Sequence, residues 1–179
     1  MKRVLLVVPA LICGVMLNGC GSKDPQDEKT LGELYAMGTK SITVTSKDEM
    51  DLLFTVDDII SYNIVEVPLI YGKPSGQIVF TDKKANDLKE HFEEYPTVFF
   101  FLHGELVFDP PVPTFFPWLT SEPPSGLHLR YERSNYGDVF YLTEIYSIGN
   151  LPDDETKEKR KKQLDVFIKY LRDVGKIIE

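Results

Sequence analysis

The segment "TVFFFLHGELVF", residues 97–108, constrains the fold of this chain more than any other part. Two apolar runs are separated only by His103 and Gly104. A two-residue connection containing glycine is typical of a tight β-hairpin, and histidine tolerates left-handed backbone angles better than most side chains. The first run is apolar at successive positions, which predicts a central strand covered on both faces. With 42% hydrophobic residues, the chain can bury a core around such a sheet.

Other segments show the alternation of apolar and polar residues that is typical of strands. "GLHLRYER" and "DVFYLTEIY" predict a second hairpin, in which His128, Arg130 and Glu132 face solvent. Residues 63–76 and 109–126 are predicted to be mostly loop because prolines and glycines punctuate both. Further strands are predicted at residues 42–44, 52–56 and 76–82.

Two helices are predicted from apolar residues that recur every three or four positions. The first begins at Thr81-Asp82, and the second runs from Asp153 to Val174. The basic run 157–162, "KEKRKK", is interpreted as a solvated outer face of the second helix, with an anionic partner as the alternative. The resulting fold prediction is α+β: a single, mostly antiparallel sheet of five to seven strands with two main helices packed on one face.

The N-terminus has the features of an export signal. Lys2 and Arg3 precede the 14-residue apolar stretch "VLLVVPALICGVML", which is too short to span a bilayer comfortably. The following "LNGC", residues 17–20, resembles the lipobox of bacterial lipoproteins. The resemblance implies cleavage between Gly19 and Cys20 and acylation of Cys20 by chains such as palmitate. Two or more acyl chains anchor a protein stably in a membrane.

This interpretation divides the chain into a signal peptide (residues 1–19), a lipidated cysteine with a flexible tether (20–35) and one α+β domain (36–179). The only other cysteine, Cys13, belongs to the signal, so disulfides, cysteine catalysis and cysteine-ligated metals are excluded for the domain. Residues 1–19 carry two positive charges and no negative ones, so the net charge of −8 becomes −10 in the mature chain. Such acidity disfavours a nucleic-acid partner.

Candidate binding residues lie in the proline-rich segment 109–126, which holds half of the chain's 12 prolines. Phe115, Phe116 and Trp118, the only tryptophan, are predicted to contact a protein or glycan partner, because aromatic rings on a stiffened loop lose little entropy on binding. The alternative is that these rings fold back and cover the sheet.

The sequence favours a non-enzymatic binding module and contains no catalytic motif. No two histidines have metal-ligand spacing, and neither a GxSxG motif nor a P-loop occurs, so we predict no metal and no cofactor. Adjacent carboxylates at 57–58, 93–94 and 153–154 are explained as helix caps or solvated faces. A periplasmic or surface hydrolase with a carboxylate-based site stays open as the alternative.

Several motifs resemble those of small lipoproteins of unknown function from Bacteroidota. They are "FTVDDIISYN", "GQIVFTD", "FFFLHGELVF", "DVFYLTEIY" and "LDVFIKYLRDVGKIIE", and they cover most of residues 50–179. The insertion "IVEVPLIYGKPS" departs from that pattern. The resemblance implies an envelope location but no catalytic residue. Gly21, in place of an aspartate after the lipidated cysteine, favours the outer membrane by analogy with enterobacterial sorting, with either face of that membrane possible.

Overall fold

The computed structural model of the chain describes residues 33–40, 46–64, 73–115, 126–134, 137–145 and 152–178. These residues form ten strands: β1 (Leu34–Thr39), β2 (Asp51–Thr55), β3 (Ile59–Asn63), β4 (Lys73–Phe80), β5 (Thr97–Leu102), β6 (Glu105–Leu106), β7 (Val112–Phe115), β8 (Gly126–Ser134), β9 (Gly137–Ile145) and β10 (Ile177–Ile178). The helices are α1 (Asp82–His91) and α2 (Asp154–Asp173), and short 3-10 helices lie at Lys47–Glu49, Val56–Asp58 and Phe92–Glu94.

All of these strands belong to one sheet that curls into a half-barrel. Its order is β10-β3-β4-β9-β8-β7-β5-β1-β2, and β6 pairs with β5 outside this path. The pairs β10–β3 and β7–β8 are parallel, whereas the remaining pairs are antiparallel. The predicted fold class is therefore wrong. The sheet is mixed, has nine to ten strands instead of five to seven, and dominates a fold in which one of the two helices has only ten residues.

The extra strands lie in segments whose sequences do not look like strands. The first half of β4 and all of β7 fall in the proline-rich segments that were predicted to be loop, and β1 begins at Leu34, inside the segment assigned to the tether. Proline within a sheet is tolerated near irregular pairing, and Pro74 lies at a shift of register between β4 and β9. The proline content was thus a poor guide to where the sheet ends.

The central hairpin is confirmed. β5 lies between β1 and β7, and it turns into β6 through His103 and Gly104, whose φ angles are +51° and +81°. Positive φ at both central residues is what a type I′ hairpin requires. The strand is also covered on both faces, since Val98 and Phe100 belong to the main core and Phe101 stacks on Tyr35 in a second cluster.

The main core joins the sheet to both helices and is rich in aromatic rings. Phe100 of β5 contacts Phe54, Phe108 and Phe167 at centroid distances of 5.7, 5.3 and 5.8 Å, all with steep interplanar angles. Edge-to-face pairs of this kind add about 0.5–1.5 kcal/mol each beyond the burial of apolar area. No cysteine lies among the described core residues, so the stability of this core rests on such ring contacts and not on a disulfide.

The predicted C-terminal helix is confirmed within one residue at each end. Asp153 accepts a hydrogen bond from the amide of Thr156 at 2.7 Å and so caps α2, as predicted for this carboxylate. Gly175, at φ +72°, follows the helix end, where a left-handed residue commonly stops a helix. Ile178 lies beyond the end of the helix and belongs to β10.

Candidate functional site

The structure describes only part of the predicted binding segment. The backbone of Phe115 ends β7 and pairs in parallel with Arg130 of β8. Phe116 and Trp118 lie outside the described residues, and so does the predicted lipid-attachment residue Cys20. The aromatic segment therefore begins at the end of an internal strand of the sheet.

A cleft of about 610 Å³ lies where α1 and the following 3-10 helix face β1 and β2, and we call it the α1 cleft. Its floor is apolar and its rim carries charged groups. The lining residues are Lys40, Asp51, Leu52, Leu53, Asp87, Leu88, His91, Phe92, Glu94 and Tyr95.

The charged groups of the α1 cleft are paired with one another. Glu94 accepts a hydrogen bond from Lys40 Nζ at 2.6 Å through Oε2, and its Oε1 lies 2.9 Å from His91 Nδ1. The Tyr95 hydroxyl donates to Asp51 Oδ2 at 3.1 Å. Lys40 also lies 5.3 Å from the centroid of the Tyr95 ring. An ion pair between Lys40 Nζ and Asp51 Oδ2 at 4.0 Å joins these contacts into one chain that connects the end of β1, the start of β2 and the end of α1.

These partners set the pKa values in the cleft. Hydrogen bonds from Lys40 and His91 lower the pKa of Glu94, and the hydrogen bond to Glu94 raises the pKa of His91. Burial and the hydrogen bond to Asp51 raise the pKa of Tyr95. A carboxyl group that acts as a general acid needs a raised pKa. Glu94 is shifted in the opposite direction, so it is poorly suited to donate a proton near neutral pH.

Gly38 allows the α1 cleft to form. A Cβ atom at this position would lie 2.6 Å from Cδ1 of the Tyr95 ring and 2.9 Å from Cδ1 of Leu53. Only a glycine in β1 lets the tyrosine lie this close to the strand. Sequence reasoning missed this site because Lys40 and Glu94 are 54 positions apart and no local spacing connects them.

The histidines lie in three different environments. His103 is a turn residue, as predicted, and His91 is exposed on α1. His128 was predicted to face solvent but is only 1% exposed, and its Nδ1 lies 2.9 Å from the carbonyl oxygen of Gly126. Burial lowers the pKa of His128. The prediction fails because β8 is an internal strand, and Arg130 on the same face is buried too, where it pairs with Glu132.

One carboxylate of the pair 57–58 and one of the pair 153–154 act as caps. Asp58 accepts hydrogen bonds from the amide and hydroxyl groups of Thr55 at 2.9 and 3.3 Å, which closes a capping box around one 3-10 turn. With Asp153 at the start of α2, this confirms the interpretation of these carboxylates as structural.

The basic run of α2 is only partly a solvated face. Lys157, Lys159 and Lys162 are exposed and pair with Asp154, Asp109 and Glu158. Arg160 is different, because its side chain is only 18% exposed and lies beside Glu144 of β9. The interpretation of the run as an outer face is therefore wrong for Arg160.

Among the described residues, no three His, Cys, Asp or Glu side chains meet in an arrangement that could hold a metal ion. In the same part of the chain, neither helix has the length and apolarity needed to cross a membrane. No protein-family model, no curated protein and no solved structure matches the chain.

Proposed function

We propose that this chain is a lipid-anchored protein of the cell envelope whose domain binds a partner without catalysing a reaction. The observation that carries the proposal is the sequence "LNGC" at residues 17–20, which follows a basic start and a short apolar stretch. Acyl chains on Cys20 would hold the protein at the outer membrane, as in the bacterial lipoproteins that this segment resembles. The acidic tether between Cys20 and the domain gives the domain room to reach a partner.

The binding part of the proposal is supported by the aromatic residues Phe115, Phe116 and Trp118, which begin at the last residue of an internal strand and lie among prolines. A protein or a glycan is the proposed partner. The alternative function, a carboxylate-based hydrolase, needs a carboxyl group with a raised pKa in a cleft. In the α1 cleft the pKa of Glu94 is lowered instead, so this alternative gains no support there.

The anchor is tested by growing cells that express the full chain with a clickable palmitate analogue. We expect the label on the wild-type protein and on the variant Cys13→Ala, because Cys13 lies in the removed signal. Cys20→Ala should carry no label. Label that persists on Cys20→Ala would refute the proposed attachment site.

A further inference from the structure

A second, smaller cavity lies between α2 and the segment that leads into β7. It has a volume of about 180 Å³, and we call it the proline pocket. Its lining residues are Phe108, Pro110, Pro111, Pro113, Gly126, Leu127, Arg160 and Gln163. Pro113 belongs to β7 and Gly126 opens β8, so the pocket lies between the two strands that flank residues 116–125 in sequence.

Arg160 brings a cation into this apolar pocket. It precedes Leu164 by four positions and Phe167 by seven, so α2 turns it toward the sheet with these core residues. Its Nη1 atom is buried and has no hydrogen-bond partner. The carboxylate that faces it, Glu144, has Oε1 3.8 Å from Nη1, which is beyond hydrogen-bond distance. The guanidinium group therefore has a counter-charge but keeps an unused donor.

The walls of the pocket are mostly apolar, and Gln163 is the only lining residue besides Arg160 with a polar side chain. Three of the lining residues are prolines, which carry no amide hydrogen and only an apolar ring. Gly126 has no side chain, and a Cβ there would lie 3.4 Å from Arg160 Nη2. The glycine also has φ +150°, so another residue would be strained at this position.

We infer that the proline pocket binds a carboxylate group carried on a short carbon chain, with Arg160 as the anchoring cation. A guanidinium group matches the planar carboxylate with two parallel donors, and the prolines and Phe108 accept the carbon chain. At roughly 30 Å³ per water-sized group, the pocket holds about six non-hydrogen atoms, which suits a compact monocarboxylate. The inference deepens the proposed binding function, because it names the chemical group that the partner has to present.

The experiment uses saturation-transfer NMR on the full chain in detergent micelles, with butyrate as the probe and protein-free micelles subtracted. Butyramide, which has the same shape but no charge, is the control ligand. We expect butyrate to bind at least tenfold more tightly than butyramide. Arg160→Gln should weaken butyrate binding at least tenfold, whereas Lys162→Gln, which removes a charge from the exposed part of the same helix, should leave it unchanged.

Glu144→Gln provides a second test, because its expected result is tighter binding, which a loss of folding cannot produce. Because Glu144 competes for the guanidinium group of Arg160, its neutralisation should tighten butyrate binding severalfold. Unchanged or weaker binding in this variant, equal binding in Arg160→Gln and wild type, or no saturation transfer to butyrate would each overturn the inference. None of these outcomes affects palmitate labelling of Cys20, so failure of the pocket and failure of the anchor are distinguishable.

Discussion

Single glycines decide how closely the aromatic residues of this protein approach the sheet. Gly76 of β4 is the clearest case, since a Cβ atom there would lie 2.2 Å from Cζ of Tyr62. Tyr62 is fully buried, and its ring meets that of Phe167 edge-to-face at 5.6 Å. The tyrosine therefore fills the space over Gly76 and connects β3 and β4 to α2.

Replacing Gly76 by alanine should lower the free energy of unfolding by about 1–3 kcal/mol or more, because the added methyl group overlaps the Tyr62 ring. Urea denaturation followed by circular dichroism measures this change. Gly175→Ala is the comparison, since nothing lies within 4 Å of its Cβ and only the positive φ opposes it, at about 1–2 kcal/mol. Shortening Tyr62 to leucine should reduce the effect of Gly76→Ala; an alanine at 76 that leaves stability unchanged would contradict this packing.

The ion pair between His91 and Glu94 should be visible in the titration of His91. We expect the pKa of His91 to lie above its ordinary value of 6.5 and to fall toward it in Glu94→Gln, since the hydrogen bond to Glu94 is the main cause of the shift. NMR signals of the imidazole ring protons report both values. His128, whose pKa is lowered by burial, should titrate below 6.5 in both proteins and serves as the internal control. A His91 pKa that does not respond to Glu94→Gln would show that the pair does not form.

The two residues also predict opposite effects of pH on stability. The raised pKa of His91 adds stability that is fully present below pH 6.5 and is lost as the pH rises through its folded-state pKa. The lowered pKa of Glu94 adds stability that is present above pH 4.5 and is lost as the pH falls through its folded-state pKa. The ion pair therefore contributes most between these two values, while buried His128 favours the folded state as the pH rises.

Secondary structure was predictable wherever one segment carries its own pattern. The hairpin at His103–Gly104, the hairpin of β8 and β9, and α2 with its Asp153 cap all follow from local spacing and turn chemistry. The elements that were missed depend on distant partners. β7 contains a proline and is only four residues long, and it exists because β5 and β8 lie on either side of it.

β10 is the shortest of these dependent elements and protects one edge of the sheet. The Tyr62 amide donates to the Lys176 carbonyl at 2.6 Å, and Lys176 Nζ donates to the Ile59 carbonyl at 2.7 Å. Ending the chain at Gly175 should therefore uncover β3, lower the free energy of unfolding and promote self-association, because a bare strand edge pairs with other chains. Light scattering after size-exclusion chromatography measures the association.

The control for this truncation is the chain that lacks only Glu179, which keeps both hydrogen bonds and should stay as stable as the wild type. A chain ending at Gly175 that is as stable and as monomeric as this control would contradict the protective role of β10.

For the molecule as a whole, the sequence predicted a sheet-based domain but not its size or strand order. Alternation of apolar and polar residues identifies a strand but not the strand with which it pairs. The pairing of β1 with β5 and of β10 with β3 could therefore not be predicted from the sequence. The α1 cleft and the proline pocket share this property, since each collects residues from separate elements. The position of Arg160 could have been noticed in the sequence. It precedes the apolar residues Leu164 and Phe167 by four and seven positions, which places a charged residue on the apolar face of the helix.

The strand order also determines when the domain can be completed during its synthesis. Lys176 and Ile59, which hold β10 against β3, are 117 positions apart, so this edge closes only after almost the entire chain is available. Contacts this distant in sequence form slowly, because a long loop has to be closed before they stabilise the structure. A chain that has to cross a membrane unfolded benefits from such a delay. For the export proposed above, the pairing of β10 with β3 would leave the sheet open at this edge until the chain has crossed the membrane.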